Sequence, residues 1–209
     1  NIEEAIKWYK LAYQNGSIHA ANNLGFIYKF TDAEEALKWF RLAAENKSTL
    51  AQYNLGTMYR DGLGVDKNLD EALKWLKLSA DGGESCACND LAVLYAASGE
   101  KQNFLEARKY YCRAIEKGAS YALANVASLW QDGSGIEQNP HEAIRLYRSN
   151  YYGSNSVFSL LRLAECYLFG HTGVTCNYKK AVDLLKKAYR RGYKLVCYNL
   201  GCAYFNGQG

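Results

Sequence analysis

The sequence predicts an all-α protein, about twelve helices paired and stacked into a solenoid. Three observations carry that prediction. A turn of the form Asn/Asp-x-x-Glu-Ala recurs along the chain, its alanines falling at Ala5, Ala36, Ala72, Ala107, Ala143 and Ala181, spaced 31, 36, 35, 36 and 38 residues apart. Each copy opens a run of apolar residues at helical spacing. Between consecutive copies lies a second helical pattern, Leu-Gly/Ala-x-x-Tyr, seen most cleanly as Ala51, Leu55, Gly56 and Tyr59. Self-similarity at such a period marks modules that touch only their neighbours and bury a core by stacking.

Within each unit the pattern around Ala72 belongs to the second helix. These helices start at Asn1, Asp32, Asn68, Asn103, Asn139 and Asn177, whose side chains can accept from the first free amides. Glu4, Glu35, Glu71, Glu106 and Glu142 stand three residues later in a capping-box arrangement, with Lys180 the exception. Pro140 occupies a first helical position, where a missing N–H costs nothing. Ala72, Trp75, Leu76 and Ser79 form one face, repeated as Ala5, Trp8, Tyr9, Ala12; as Ala36, Trp39, Phe40, Ala43; and as Ala107, Tyr110, Tyr111, Ala114. These are the predicted core positions. Gly16, Gly82, Gly118, Gly153 and Gly192 are expected to end the helices in left-handed turns.

In the first helix of each unit Leu24, Leu55, Leu91, Val126, Leu163 and Leu200 are expected to point inward. One turn later follow Tyr28, Tyr59, Tyr95, Trp130, Tyr167 and Tyr204. The residue after each inward leucine or valine is small: Gly25, Gly56, Ala92, Ala127, Ala164 and Gly201. Glycine inside a helix costs roughly 0.5–1 kcal/mol relative to alanine, so its use predicts close approach of a neighbouring helix.

These patterns divide residues 1–209 into one continuous array. It begins with a second helix alone at 1–16, runs through 17–47, 48–83, 84–118, 119–153 and 154–192, and closes with a first helix alone at 193–209. Asn1 is already a helix cap, and Gly207 and Gly209 match Gly62 and Gly64, so the chain is expected to belong to a longer protein. Apolar residues make up 49% and charged residues 22%, enough for a packed core. No run approaches the ~20 apolar residues of a membrane span, and no signal peptide is visible. The net charge of +4 conceals an asymmetry, because Arg145 to Lys194 holds ten Lys/Arg against two Asp/Glu. Seven cysteines leave at least one thiol unpaired, which favours a reducing, intracellular setting while leaving a secreted or periplasmic one open. Cys86, Cys88, Cys112, Cys166, Cys197 and Cys202 fall in predicted helices, where cysteine serves as a small buried apolar residue.

The string Ala51-Gln-Tyr-Asn-Leu-Gly-Thr-Met-Tyr59, then Asp61-Gly-Leu-Gly-Val65, then Asp70-Glu-Ala-Leu-Lys-Trp75 resembles the Sel-one-like repeat (SLR), a branch of the tetratricopeptide superfamily. The resemblance covers essentially the whole chain. It implies a right-handed α-solenoid of antiparallel helix pairs, and a role as an adaptor in signalling, secretion, quality control or host contact. Two copies depart from the pattern. The turn between Tyr28 and Ala36 is five residues shorter than that between Tyr59 and Ala72, and the last full unit has a longer loop with His171 and Cys176. A less regular stack is expected at both places.

A polar residue precedes the inward leucine in most copies: Asn23, Asn54, Asp90, Asn125 and Asn199, with Arg162 breaking the series. Asparagine competes for backbone bonds in mid-helix, so its recurrence asks for a role. One reading is a hydrogen bond within the scaffold. The other, implied by the related tetratricopeptide groove, is a ladder that holds a peptide's backbone. On that second reading the concave, partner-binding face comprises Asn23, Tyr53, Asn54, Arg60, Asp90, Asn125, Gln131 and Arg162. A basic helix carrying Lys179, Lys180, Lys186, Lys187, Arg190 and Arg191 reads as a solvated face, or as a seat for an acidic partner or nucleic acid. It lacks an aromatic stacking platform in the sequence, which argues against nucleic acid.

Catalysis finds little support. His19, His141 and His171 lie in separate repeats, and the sequence holds no His-Glu-x-x-His, Gly-x-Ser-x-Gly or phosphate-binding glycine loop. Cys166, His171 and Cys176 lack the paired spacing of structural zinc, and Cys86 and Cys88 face different directions on one helix. No cofactor, metal or small-molecule substrate is expected. The expected function is a non-catalytic scaffold for a peptide or partner domain. Two alternatives stand beside it: a bacterial immunity or host-targeting protein that binds a toxin or host factor, and a cysteine-paired secreted SLR hydrolase, whose regular cysteine ladder this sequence lacks.

Overall fold

The computed structural model describes residues 1–97, 101–119, 121–133, 138–170, 175–205 and 207. Among them are twelve α-helices and no strand: α1 (Ile2–Gln14), α2 (Ile18–Tyr28), α3 (Ala33–Glu45), α4 (Thr49–Asp61), α5 (Leu69–Asp81), α6 (Ser85–Ala97), α7 (Lys101–Glu116), α8 (Ala122–Asp132), α9 (Pro140–Ser154), α10 (Val157–Phe169), α11 (Tyr178–Arg190) and α12 (Val196–Phe205). Even-numbered helices are the first helices of the repeats, odd-numbered ones the second. They pack chiefly on their neighbours in the chain, as a solenoid requires. The helices fall into two compact units, Asn1–Val93 and Leu94–Gly209, the division lying inside α6.

In the first unit the core is built from Ala36, Phe40 and Ala43 of α3, Leu55 and Met58 of α4, and Ala72 of α5, all buried. Two close approaches set the spacing. A Cβ on Gly25 would stand 2.7–2.9 Å from the Phe40 ring, and one on Gly56 would stand 2.8 Å from Leu76 Cγ. Polar bonds tie the helices as well: Ser79 Oγ donates to Thr49 O at 2.7 Å, and the buried Gln52 amide donates to Ala44 O at 3.2 Å. In the second unit Tyr147, Leu160, Leu163, Ala164 and Leu185 form the centre of a continuous core.

One backbone bond recurs at four of the passages from a first helix to a second, α2–α3, α4–α5, α8–α9 and α10–α11. The capping residue's own N–H donates to the carbonyl of the first helix's aromatic residue: Asp32 to Tyr28 at 2.8 Å, Asn68 to Tyr59 at 2.9 Å, Asn139 to Trp130 at 2.9 Å and Asn177 to Tyr167 at 2.8 Å. The intervening chain varies in length, spanning 29–31, 60–67, 131–138 and 168–176, yet the bond is the same. Both places where the sequence suggested irregularity therefore keep the standard junction.

That bond also corrects the capping-box reading. The cap side chains do accept, Asp32, Asn68, Asn139 and Asn177 each receiving the amide of the third residue on. The return half is not made at Glu35 and Glu71, because the cap amide is already engaged by a carbonyl. Their carboxylates turn forward instead, accepting from Trp39 Nε1 and Trp75 Nε1 at 3.0 Å each and from Lys38 and Lys74. Asn103 lies inside α7, since the good helix formers Lys101 and Gln102 carry the helix past the expected cap.

Five of the six second helices end in the same pair of bonds. Ser17, Ser48, Glu84, Ala119 and Tyr193 donate to Ala12, Ala43, Ser79, Ala114 and Ala188, while the residue before each donates three back. This is the Schellman geometry, whose pivot is left-handed. The pivots are Gly16, Lys47, Gly83, Gly118 and Gly192. Gly82 is right-handed with φ −71°, because Gly83 takes the pivot. Gly153 sits within α9, which continues to a left-handed Asn155.

Burial departs from the sequence pattern mainly in the outer helices. Trp8 is 61% exposed and α1 has no buried residue, because it packs chiefly on α2, with Tyr13 reaching Trp39 of α3. Leu200 and Tyr204 of α12 are likewise only partly covered, with α11 as the neighbour. Cys88 and Cys166 are buried and Cys86 is partly covered as expected, but Cys112, Cys197 and Cys202 are exposed. Cys112 follows the inward Tyr111 and so turns outward.

Candidate functional site

In the first unit, polar side chains of successive first helices meet one another. Arg60, at the end of α4, places Nη1 2.6 Å from Asp90 Oδ2 of α6, and its Nε and Nη2 grip Asp61 at 2.7 and 2.9 Å. Tyr53 OH donates to the same Asp90 oxygen at 3.3 Å, and Asn89 Nδ2 reaches Oδ1. The set is only partly covered: 30% of the Arg60 side chain and 18% of that of Asp90 remain exposed. Burial, followed by the Asp90 charge, pushes the Tyr53 phenol up to about 12. The Arg60 hydrogen bond holds the Asp61 carboxyl below its usual range.

Asn54 is buried and gives its amide to Asn22 Oδ1 across α2 and α4 at 3.2 Å. At this position the recurring asparagine is engaged within the scaffold. Asn23, half-buried, lines a shallow hollow of about 360 Å3 with Asn1, Tyr9 and Phe26.

The second unit builds a comparable knot around a residue that sequence reasoning assigned to no site. Tyr147 of α9 is fully buried, its hydroxyl 2.9 Å from Ser128 Oγ and donating to Gln131 Oε1 at 3.2 Å. Arg162 Nε reaches that hydroxyl at 3.4 Å while Nη1 pairs with Glu165 at 2.7 Å. Burial raises the Tyr147 pKa. Gln131 is buried and Arg162 half-buried, so these two expected face residues are joined through Tyr147. Asn125 lies half-buried on α8.

The partners Asn22, Asp61, Tyr147 and Glu165 were missed as site residues. Asp61 and Asn22 adjoin singled-out residues, which is a usable signal. Tyr147 reads in sequence as core, and nothing in its spacing announces a buried hydroxyl that needs partners.

The basic helix α11 proves less simply solvated than expected. Lys180 Nζ lies 5.7 Å from the Tyr167 ring centre, Lys186 Nζ 5.4 Å from that of Tyr204, and Arg191 5.3 Å from that of Tyr151. Arg191 also donates to Asn155 O at 3.3 Å. These aromatic partners come from α10, α12 and α9. Of the Cys166, His171 and Cys176 candidate, His171 lies outside the described residues. Among the described residues no His/Cys/Asp/Glu group has metal-site geometry, and no helix is long and apolar enough to cross a membrane.

Comparison with known proteins places these repeats. The model of the Sel1 repeat matches at residues 1–17, 18–48, 49–84, 87–118, 120–149, 157–193 and 195–209. Among curated protein sequences none matches significantly. The fold is similar to a Sel1 repeat protein from Oxalobacter formigenes, with TM-score 0.80 and 29% identity over 92% of this chain and 78% of that one. It also resembles a putative Sel1 repeat protein from Klebsiella pneumoniae subsp. pneumoniae (TM-score 0.58, 16% identity, 94% and 97% of the two chains). A third similar structure is the immunity protein Pa5087 from Pseudomonas aeruginosa (TM-score 0.57, 19% identity, 91% and 73% of the two chains). At those last two identities the likeness is one of fold. With seven matched repeats running from Asn1 to Gly209, the chain belongs to the Sel1 repeat family.

Proposed function

We propose that this chain is a non-catalytic scaffold that holds a peptide or a partner domain against the first-helix side of its repeats in each unit. Sel1 repeat proteins are commonly protein-interaction scaffolds, and the family's fold is typically non-catalytic. The observation that carries the reading is the Tyr53–Arg60–Asp90 set. Its side chains are held in place by one another and by the packed helices beneath, yet remain partly open to solvent. Three of Arg60's five N–H donors are engaged, which leaves two for the carbonyls or carboxylates of a ligand. Groups fixed before binding lose little entropy on association. Tyr53, Asn54, Arg60, Asp90 and Asn23 in the first unit, and Asn125, Gln131 and Arg162 in the second, are the proposed contact residues.

Contacts spread over such a face contribute modestly one by one, about 1 kcal/mol or less, with an Arg or aromatic anchor costing more. The test is affinity capture with the purified protein beside the double variant Arg60→Ala/Arg162→Ala, with melting temperatures measured in parallel. Partner proteins retained by the parent and lost by the variant, at little cost in melting temperature, are the expected result. Identical capture by both proteins contradicts the assignment to this face.

A further inference from the structure

A pocket of about 380 Å3 lies among α9, α10 and α11, and none of the contact residues proposed above lines it. Arg148, Lys180 and Lys187 bring three cations to it, Tyr151 and Tyr167 supply aromatic walls, and Asp183 is its one lining acid. Arg148 and Lys180 converge on a single ring. The guanidinium carbon of Arg148 lies 5.9 Å from the Tyr167 ring centre, Lys180 Nζ lies 5.7 Å from it, and Arg148 also donates to the Tyr167 hydroxyl. Among the described residues neither cation is paired with a carboxylate.

The same architecture in the first unit shows what is unusual here. Arg41 donates to Tyr59 OH at 2.6 Å, the counterpart of the Arg148–Tyr167 pair. The place of Lys180, three residues after the cap, is taken there by Glu71, whose carboxylate binds Lys74 and Trp75. Lys180 thus inverts the charge at one repeat position. It does so beside Lys179 in the first turn of α11, where the helix dipole disfavours cations. Two like charges gathered at one ring, one of them in a first helical turn whose dipole disfavours it, are relieved by an anion between them.

We propose that this pocket receives the carboxylate of an Asp or Glu side chain from an acidic, extended segment of a partner protein. The pocket's size suits a side chain with its flanking backbone, and the excess of Lys/Arg between Arg145 and Lys194 surrounds it with a field that attracts such a segment. A nucleic acid asks for cations strung along a backbone path. Here they converge on one hollow.

The experiment measures fluorescence anisotropy of a labelled peptide of alternating glutamate and alanine with the whole chain. It compares the parent with Lys180→Glu and with Lys38→Glu, which makes the same charge change on α3. Lys180→Glu is expected to weaken binding about tenfold or more by placing like charge against the ligand. Its melting temperature should hold or rise, since the change restores an acid to the first turn of α11. Lys38→Glu should leave affinity within about twofold, since Lys38 does not line the pocket. Arg60→Ala should bind the peptide like the parent, which separates this pocket from the first-helix face. Absence of binding by the parent, equal weakening by both lysine variants, or tighter binding of a labelled oligo-dT of matched charge overturns the proposal.

Discussion

Gly56 and Gly201 occupy the same repeat position, after Leu55 and Leu200, yet alanine at the two should have opposite effects. At Gly56 the new Cβ would stand 2.8 Å from Leu76 Cγ, 3.0 Å from its Cδ2 and 3.2 Å from its backbone nitrogen. Carbon atoms pack at about 3.5–4.0 Å, so the overlap is several tenths of an ångström or more. Leu76 is fully buried and its Cγ is a branch point, so the clash cannot be relieved by swinging a chain end. Forcing a methyl into such a contact costs about 1–3 kcal/mol, against a gain of about 0.8–1.0 kcal/mol from replacing a helical glycine. The net expectation is a loss of about 1 kcal/mol. At Gly201 nothing lies within 4 Å of the added Cβ, and only the gain of about 0.5–1 kcal/mol remains. Urea denaturation followed by tryptophan fluorescence, Trp75 lying on the helix that Gly56 meets, reads both. If Gly56→Ala is stabilised as much as Gly201→Ala, close helix approach does not explain the glycine.

Lys47 holds φ +63° at a pivot where the other second helices of this ending place glycine, so Lys47→Gly should raise stability by about 0.5–1 kcal/mol in the same assay. Asn139→Ala removes the acceptor for the Glu142 amide and should cost about 1 kcal/mol, read as a lowered urea midpoint. The Tyr53 phenol is raised to about 12, so its contribution is intact below the unfolded value near 10 and fades as pH climbs through the folded value. Tyr53→Phe should therefore flatten part of the fall in stability across that alkaline window, measured by urea midpoints at stepped pH. Asp61, held low by Arg60, works in the acid range, where its contribution is full above the usual carboxylate value and disappears as pH falls through the depressed one. Asp61→Asn should accordingly remove part of the acid-side decline in the urea midpoint.

Much of this structure was legible because one physical demand repeats. Apolar residues at helical spacing, asparagine caps and small residues beside the inward leucine each recur, so that copies vouch for one another. Phe40, Leu55, Leu76 and Leu185 are buried as that periodicity requires. Periodicity says nothing about how much neighbour a helix has, which is why Trp8 was expected inside and lies outside. Nor does it reveal backbone bonds, and so the junction that engages the cap amides, and turns Glu35 and Glu71 toward Trp39 and Trp75, was invisible. The candidate face was read as a row of separate residues. Its geometry is instead cooperative, with Asn54 using Asn22, Arg60 joining Asp61 to Asp90, and Arg162 reaching Tyr147, because partners on different helices cannot be paired from spacing alone.

The shared junction is what lets turns of different length present equivalent helices, and amide hydrogen exchange tests it directly. The N–H groups of Asp32, Asn68, Asn139 and Asn177 sit at the ends of connecting segments, where exchange is ordinarily fast. Bonded to the carbonyls of Tyr28, Tyr59, Trp130 and Tyr167, they should exchange as slowly as amides inside the adjoining helices. Exchange at the rate of the neighbouring turn residues, at the short Tyr28–Asp32 connection and the long Tyr167–Asn177 one alike, would show that no common junction holds the repeats.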